Sequence, residues 1–190
     1  MSGLELPGAG AVRAAVVLGM ARSGVAAAEA LERRGVEVRR VDKKLGPDDD
    51  PALLDGAGLL VKSPGVPGEH PLVVEARRRG IPVWSEVELG FRLLAPRPFV
   101  AVTGTNGKTT TTELLGHILR TAGRAVEVAG NVGRALASVD PEAPGAAVAP
   151  DAWVVCETSS FQLEDVDAFA PRVAVLLNIE PDHLDRHGTF

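Results

Sequence analysis

The residues best suited to chemistry are Thr103-Gly-Thr-Asn-Gly-Lys-Thr-Thr110, set between the apolar run FVAVT and a helix-forming stretch. A nucleotide polyphosphate needs inward-facing backbone N–H groups, an uncrowded loop and a positive point charge. Gly104 and Gly107 permit the tight turn, and the following helix adds the partial positive charge of its N-terminus. Lys108 is placed to reach the β- and γ-phosphates, and the Thr109 hydroxyl to ligate Mg²⁺. The strict phosphate-loop pattern has its first glycine where this chain has Val102. The motif is therefore a P-loop variant whose first glycine has moved to position 104. A glycine-rich turn that merely caps a helix is the alternative. Strand, loop, Gly-Lys-Thr and helix in succession favour phosphate.

Three weaker signals accompany it. VVLGMARSG places Gly19 and Gly24 between a strand and a helix, with Asp42 at the end of the next strand. That is the outline of a dinucleotide-type fold without its middle glycine, so a nicotinamide or flavin is poorly supported while a nucleotide diphosphate remains feasible. Glu157 ends AWVVCE, and Asn178-Ile-Glu-Pro-Asp-His183 ends AVLLN. Taken alone, Glu157 could cap a helix and His183 could be a surface histidine. Ligands of open α/β sheets gather at the carboxyl ends of the strands, and both residues fall there beside the P-loop. A carboxylate and an imidazole at that edge are reasonable Mg²⁺ partners.

The elements that must position these residues alternate as strand and helix, which predicts an α/β fold. Strands are expected at Ala14–Leu18, Val36–Val41, Leu59–Val61, Ile81–Trp84, from Phe99, and as buried segments at Trp153–Cys156 and Val173–Leu177. Helices are expected at Ser23–Arg34 with Ser23 as N-cap, Pro71–Arg79, Glu86–Leu94 and Lys108–Ala122. The helix-poor APRP at 95–98 predicts a linker. The division is a Rossmann-like parallel-sheet domain over 1–94 and a P-loop α/β domain over 99–190. No helix follows PDHLDRHGTF, so the chain reads as a fragment ending inside its second domain. Trp84, Trp153, Phe99 and Cys156 are expected in the core. His70 and His117 lack spaced partners, and Asp48–Asp50 reads as a solvated loop.

Composition narrows the function class. The 190 residues are 45% hydrophobic and 24% charged, with a net charge of −5, and 16 of the 20 basic residues are arginine. That balance speaks against general nucleic-acid or membrane-surface binding. No apolar run approaches a membrane span, MSGLELPGAG is not a secretory signal, and one cysteine makes no internal disulfide. A cytoplasmic monomer is expected.

In order along the chain, TGTNGKTT, AGNVG at 129–133, ETSSFQLE at 157–164 and LNIEPDHLDRHG at 177–188 resemble the Mur ligases, and SSFQLE resembles their D-glutamate-adding branch. GMARSG and SPGVP match the N-terminal domain of the same branch. The resemblance implies that UDP-MurNAc-L-Ala, D-glutamate and ATP are the substrates of an amide-forming, Mg²⁺-dependent ligase of peptidoglycan precursor synthesis. It implies that Gly104, Thr105, Asn106, Gly107, Lys108, Thr109 and Thr110 bind ATP, and that Thr109, Glu157 and His183 hold metal. It implies catalytic roles for Lys108, Glu157 and His183. Met20, Ala21, Asp42, Lys43, Ser63 and Gly65 would surround the UDP, and Asn131 and Ser159 the sugar and peptide. Relatives often carry a hydroxyl residue where this chain has Ala21. A folylpolyglutamate synthase-like ligase and a UDP-sugar-binding module without ligase activity stand as alternatives.

Overall fold

A computed structural model describes residues 3–190. It opens with an antiparallel ribbon of β1 (Leu4–Leu6) and β2 (Gly10–Val12), which no sequence pattern announces. The expected alternation follows. β3 (Ala14–Leu18), α1 (Arg22–Arg33), β4 (Glu37–Val41), β5 (Leu59–Lys62), α2 (Pro71–Arg78), β6 (Val83–Ser85) and α3 (Glu86–Leu94) form the first unit. Its strands make one parallel sheet in the order β4-β3-β5-β6. β7 (Phe99–Thr103), α4 (Lys108–Thr121), β8 (Val126–Gly130), β9 (Trp153–Glu157), α5 (Ser160–Leu163), β10 (Val173–Leu176) and α6 (Leu184–His187) follow. These strands make a second parallel sheet in the order β10-β7-β9-β8.

The central strands are continuous apolar runs because helices or turns cover both of their faces. Val16, Val17, Leu60, Val102, Val154 and Val155 are almost completely buried. Two expectations are corrected at this level. β10 is an edge strand with Val173 and Leu176 exposed, where its apolar run predicts burial. Trp153 is only partly buried, with the Arg172 guanidinium 5.6 Å from its ring centre. Helix starts also differ in chemistry from the spacing rules. α1 begins after Ala21, without a side-chain cap, and not after Ser23. α2 opens on Pro71, and His70 Nδ1 accepts the Leu72 N–H at 3.3 Å, which gives that histidine a structural role.

α3 joins the two units. Leu89 lies in the core of the first sheet with Val17 and Trp84, while Val87 and Leu94 lie in the core of the second with Phe99, Leu136 and Val154. Glu88, fully buried, accepts the backbone N–H groups of Asp167, Ala168 and Phe169 at 3.0, 2.9 and 2.9 Å. Across the same junction Asp140 accepts from Arg33 Nε at 2.7 Å and Arg34 Nη2 at 2.7 Å. Burial opposes the Asp140 charge, yet the Arg34 guanidinium and its neighbours hold the carboxyl down to about 2. These contacts set the carboxyl edges of the two sheets in a fixed relation.

Candidate nucleotide site at the strand ends

β7 is flanked by β9 and β10, so the loops after these three strands share one edge of the second sheet. They surround a cavity of about 720 Å³ lined by Gly104, Lys108, Asn131, Ser159, Asn178 and His183, among others. Its size suits a nucleotide polyphosphate or a drug-sized ligand. α4 starts directly from the P-loop, and Gly107 stands at its N-cap with φ +82°, a left-handed conformation that glycine adopts without Cβ strain. Lys108 Nζ folds back onto the carbonyls of Gly104 at 2.7 Å and Thr105 at 2.8 Å. Thr109 and Thr110 are exposed in the first turn of that helix.

A second loop holds the P-loop in shape. The Asn106 N–H donates to Asn178 Oδ1 at 2.8 Å, and Asn178 Nδ2 donates to the Asn106 carbonyl at 3.1 Å. The Glu180 N–H donates to Thr105 Oγ1 at 2.9 Å. Asn178 and Glu180 are thus supports of the loop that spacing alone does not reveal. Their signal is only their place after the apolar run of β10.

Glu157, almost fully buried at the end of β9, accepts from the Thr109 hydroxyl at 2.8 Å and from Asn131 Nδ2 at 3.2 Å. A hydroxyl and a carboxylate in direct contact beside a phosphate loop are hard oxygen donors suited to Mg²⁺. His183 lines the same cavity from the αL position before α6, with φ +49° and its nearest carboxylate, Asp182, at 3.7 Å. Among the described residues no three His, Cys, Asp or Glu side chains converge as a metal cluster. Thr109 and Glu157 therefore fit a cation, while His183 stands without a set of companion ligands. Ser159 faces the cavity and caps α5, in a box where Gln162 Oε1 accepts the Ser159 N–H at 3.0 Å.

The first sheet gathers its residues differently. Asp42 accepts the Lys44 N–H at 2.9 Å and the Met20 N–H at 2.7 Å, and these bonds hold its carboxyl below the usual range. The buried Ser63 hydroxyl donates to the Gly19 carbonyl at 2.6 Å. Met20, Asp42 and Ser63 come together around the start of α1, while Ala21, Lys43 and Gly65 are exposed. Arg22 reaches the Gly133 carbonyl, linking this edge to the loop that carries Asn131.

Comparison with known proteins bears on all these segments. Residues 102–190 match the Mur ligase middle domain. The UDP-N-acetylmuramoylalanine--D-glutamate ligase of Shouchella clausii is 44% identical over 192 residues, covering 92% of this chain and 41% of that protein. The ligase of the same name from Acidobacterium capsulatum is 45% identical over 195 residues, covering 92% and 41%. The chain thus spans about two fifths of the length of these relatives. Among solved structures, UDP-N-acetylmuramate:L-alanyl-gamma-D-glutamyl-meso-diaminopimelate ligase from Neisseria meningitides superposes with a TM-score of 0.53 at 24% identity, covering 93% of this chain and 63% of that one. That likeness carries the fold. Sequence similarity along both sheets, with the phosphate loop inside the matched domain, makes this chain a member of the Mur ligase family.

Proposed function

We propose that this chain supplies the two nucleotide-binding units of an ATP-dependent ligase that adds D-glutamate to UDP-N-acetylmuramoyl-L-alanine. The observation that carries the reading is the contact of Thr109 and Asn131 with Glu157 beside Lys108, at the shared edge of β7, β9 and β10. The names of its relatives give the acceptor and the UDP substrate. They support this reading over a folate-type ligase or a bare UDP-sugar-binding module.

In the proposed reaction the L-alanine carboxylate attacks the γ-phosphorus of ATP, the bond to the β-bridging oxygen breaks, and ADP leaves. The amine of D-glutamate then attacks the acyl phosphate, the tetrahedral intermediate expels phosphate, and a proton is released from the nitrogen. Lys108 exchanges its two loop carbonyls for phosphate oxygens and neutralises their charge. Thr109 and Glu157 would hold Mg²⁺, which would supply further charge neutralisation to the phosphates. Asn131 keeps the Glu157 carboxylate directed at that point, and Met20, Ala21, Asp42, Lys43, Ser63 and Gly65 shape the UDP site. Residues 1–94 and 99–190 are proposed as the substrate and ATP units, with α3 as a wall common to both. The protein is proposed to act as a cytoplasmic monomer, and no helix among the described residues is long and apolar enough to cross a membrane.

The test has two parts. The intact 190-residue chain is titrated with UDP and ADP, because α3 serves both cores and a cut at 94 would strip the second. Both nucleotides should bind without competing. Competition for one site, or preference of the first sheet for NAD, overturns the assignment. The complete gene product should form UDP-MurNAc-L-Ala-D-Glu with one phosphate released per amide. The 190-residue chain alone should bind without ligating.

A further inference from the structure

Two motif residues have no part in the chemistry above: Glu164, which ends SSFQLE, and Arg186, three positions beyond His183. The fold brings them together. Arg186 Nε donates to Glu164 Oε1 at 3.0 Å and Nη2 to Oε2 at 2.5 Å, a two-point pair that sets direction as well as distance. Nη2 also donates to the Val66 carbonyl at 3.0 Å, in the loop between β5 and α2. Lys62 reaches the same carbonyl at 3.0 Å, and its ammonium lies 3.3 Å from Glu164 and 2.8 Å from Asp165. Asp165 in turn pairs with Arg77 at 2.7 Å. Burial works against charge on Glu164, but Arg186 and Lys62 outweigh it and hold the carboxyl below its usual range.

This network leads to the phosphate cavity. The Arg186 guanidinium lies 5.1 Å from the Phe161 ring centre, and the His183 ring lies 4.8 Å from the same ring. α6 has only four residues, too few to hold an orientation without tertiary contacts. Its tie to the first unit is the bond from Arg186 Nη2 to the Val66 carbonyl, made by a guanidinium that the Glu164 fork holds in direction.

We propose that Arg186 and Glu164 are positioning residues, whose ion pair locks α6, and His183 with it, against the 63–66 loop of the UDP unit. The proposal rests on the ligase reading above. It gives SSFQLE a role in holding the two substrate sites at a fixed separation, through the pair and not through contact with either nucleotide.

The test uses Arg186→Met and Glu164→Gln, with Arg186→Lys as the conservative variant. Asp165 still neutralises the buried Lys62 in all three, and in Glu164→Gln Arg186 keeps its bond to the Val66 carbonyl. In the complete gene product kcat should fall roughly 10²-fold in the Met and Gln variants, the scale of a small misplacement transmitted from outside the chemistry. KM values for ATP and the UDP substrate should stay near wild type, and Arg186→Lys should recover part of the rate. In the 190-residue chain, without substrate, the His183 ring resonances should lose the Phe161 ring-current shift in both variants. Unchanged kcat, or a rise in KM alone, overturns the proposal. If Arg186→Met does not fold, Glu164→Gln decides. If the wild-type complete product does not ligate, the functional reading fails, and the His183 resonances still decide whether the pair positions that ring.

Discussion

The crossings β3–α1 and β7–α4 share one local plan, a buried strand, a glycine-containing loop and a helix, yet the structure holds their loops by different means. In the first crossing close packing and the ends of the neighbouring strands fix the loop. A Cβ at Gly24 would lie 1.9 Å from the Gly19 carbonyl oxygen, Ser63 donates to that carbonyl, and Asp42 is occupied by two backbone N–H groups. In the second, Asn178 braces the loop from outside, and Lys108, Thr109 and Glu157 are bonded to one another or to loop carbonyls. Packing makes the first loop a fixed shape for a ligand to fit. Exchangeable polar bonds leave the second with charges that can be handed to phosphate and metal. On the proposed reading, the same topology serves recognition in one unit and chemistry in the other, according to which polar groups the fold leaves transferable.

The largest expected effect tests the transferable side. Lys108→Ala in the complete gene product should lower turnover by about 10³-fold or more, since charge on the phosphates goes unneutralised. Its melting temperature should stay near wild type, because Nζ bonds only two carbonyls of its own loop. Wild-type turnover would remove the contrast between the two crossings.

The junction between them should titrate. Burial pushes the Glu86 carboxyl up to about 7, although the N–H groups of Ala137 and Leu136 pull the other way. The native state therefore binds more protons than the unfolded chain between the ordinary carboxyl value and 7. Stability should fall by about 3 kcal/mol as pH rises through that window and change little through this group above it. Urea unfolding of wild type and Glu86→Gln at pH 5 and pH 8 measures the difference. Parallel pH dependence in the two proteins contradicts the assignment.

Gly24→Ala addresses the packed loop. The methyl group cannot fit beside the Gly19 carbonyl, so destabilisation of about 2 kcal/mol is expected, with loss of UDP binding before ADP binding. Equal loss of both nucleotides would show that the two loops are not held independently. The smallest effect belongs to Asn178→Ala. It removes two hydrogen bonds to Asn106 and should weaken ADP binding by about 1 kcal/mol, leaving UDP titrations unchanged.

Much of the frame was legible in the residues. α3 and the starts of β3, β5, β7, β9 and α4 fall where periodicity and helix signals place them, because apolar spacing over a few residues is a local property. β8 escaped notice because Val126–Gly130 carries a charged Glu127 and ends in a glycine loop, which weakens its apolar run. The ribbon β1–β2 escaped because its three-residue strands are too short to show a period. Ser23 has the chemistry of an N-cap, but the Met20 N–H bonds Asp42 across the sheet and the cap falls two residues earlier, at Ala21. For the site, the P-loop, Glu157 and His183 could be named from spacing and resemblance. Asn178, Glu180 and Phe161 lie in segments named there, but their supporting roles could not be read, since each acts on a residue far from it in sequence.

The sequence by itself determined the α/β alternation and the phosphate loop, because strand and helix periods and the Gly-Lys-Thr turn are written within a dozen consecutive residues. Only the tertiary structure decided that β7 lies between β9 and β10, which brings Lys108, Glu157 and Asn178 to one edge. It alone decided that Asp140 faces Arg34 across 106 positions and that Glu164 meets Lys62 across 102. A charge placed away from water is tolerated only where an opposite charge or a hydrogen-bond donor meets it. Which charges those are follows from how the two sheets close on α3, and local pattern carries no record of that closure.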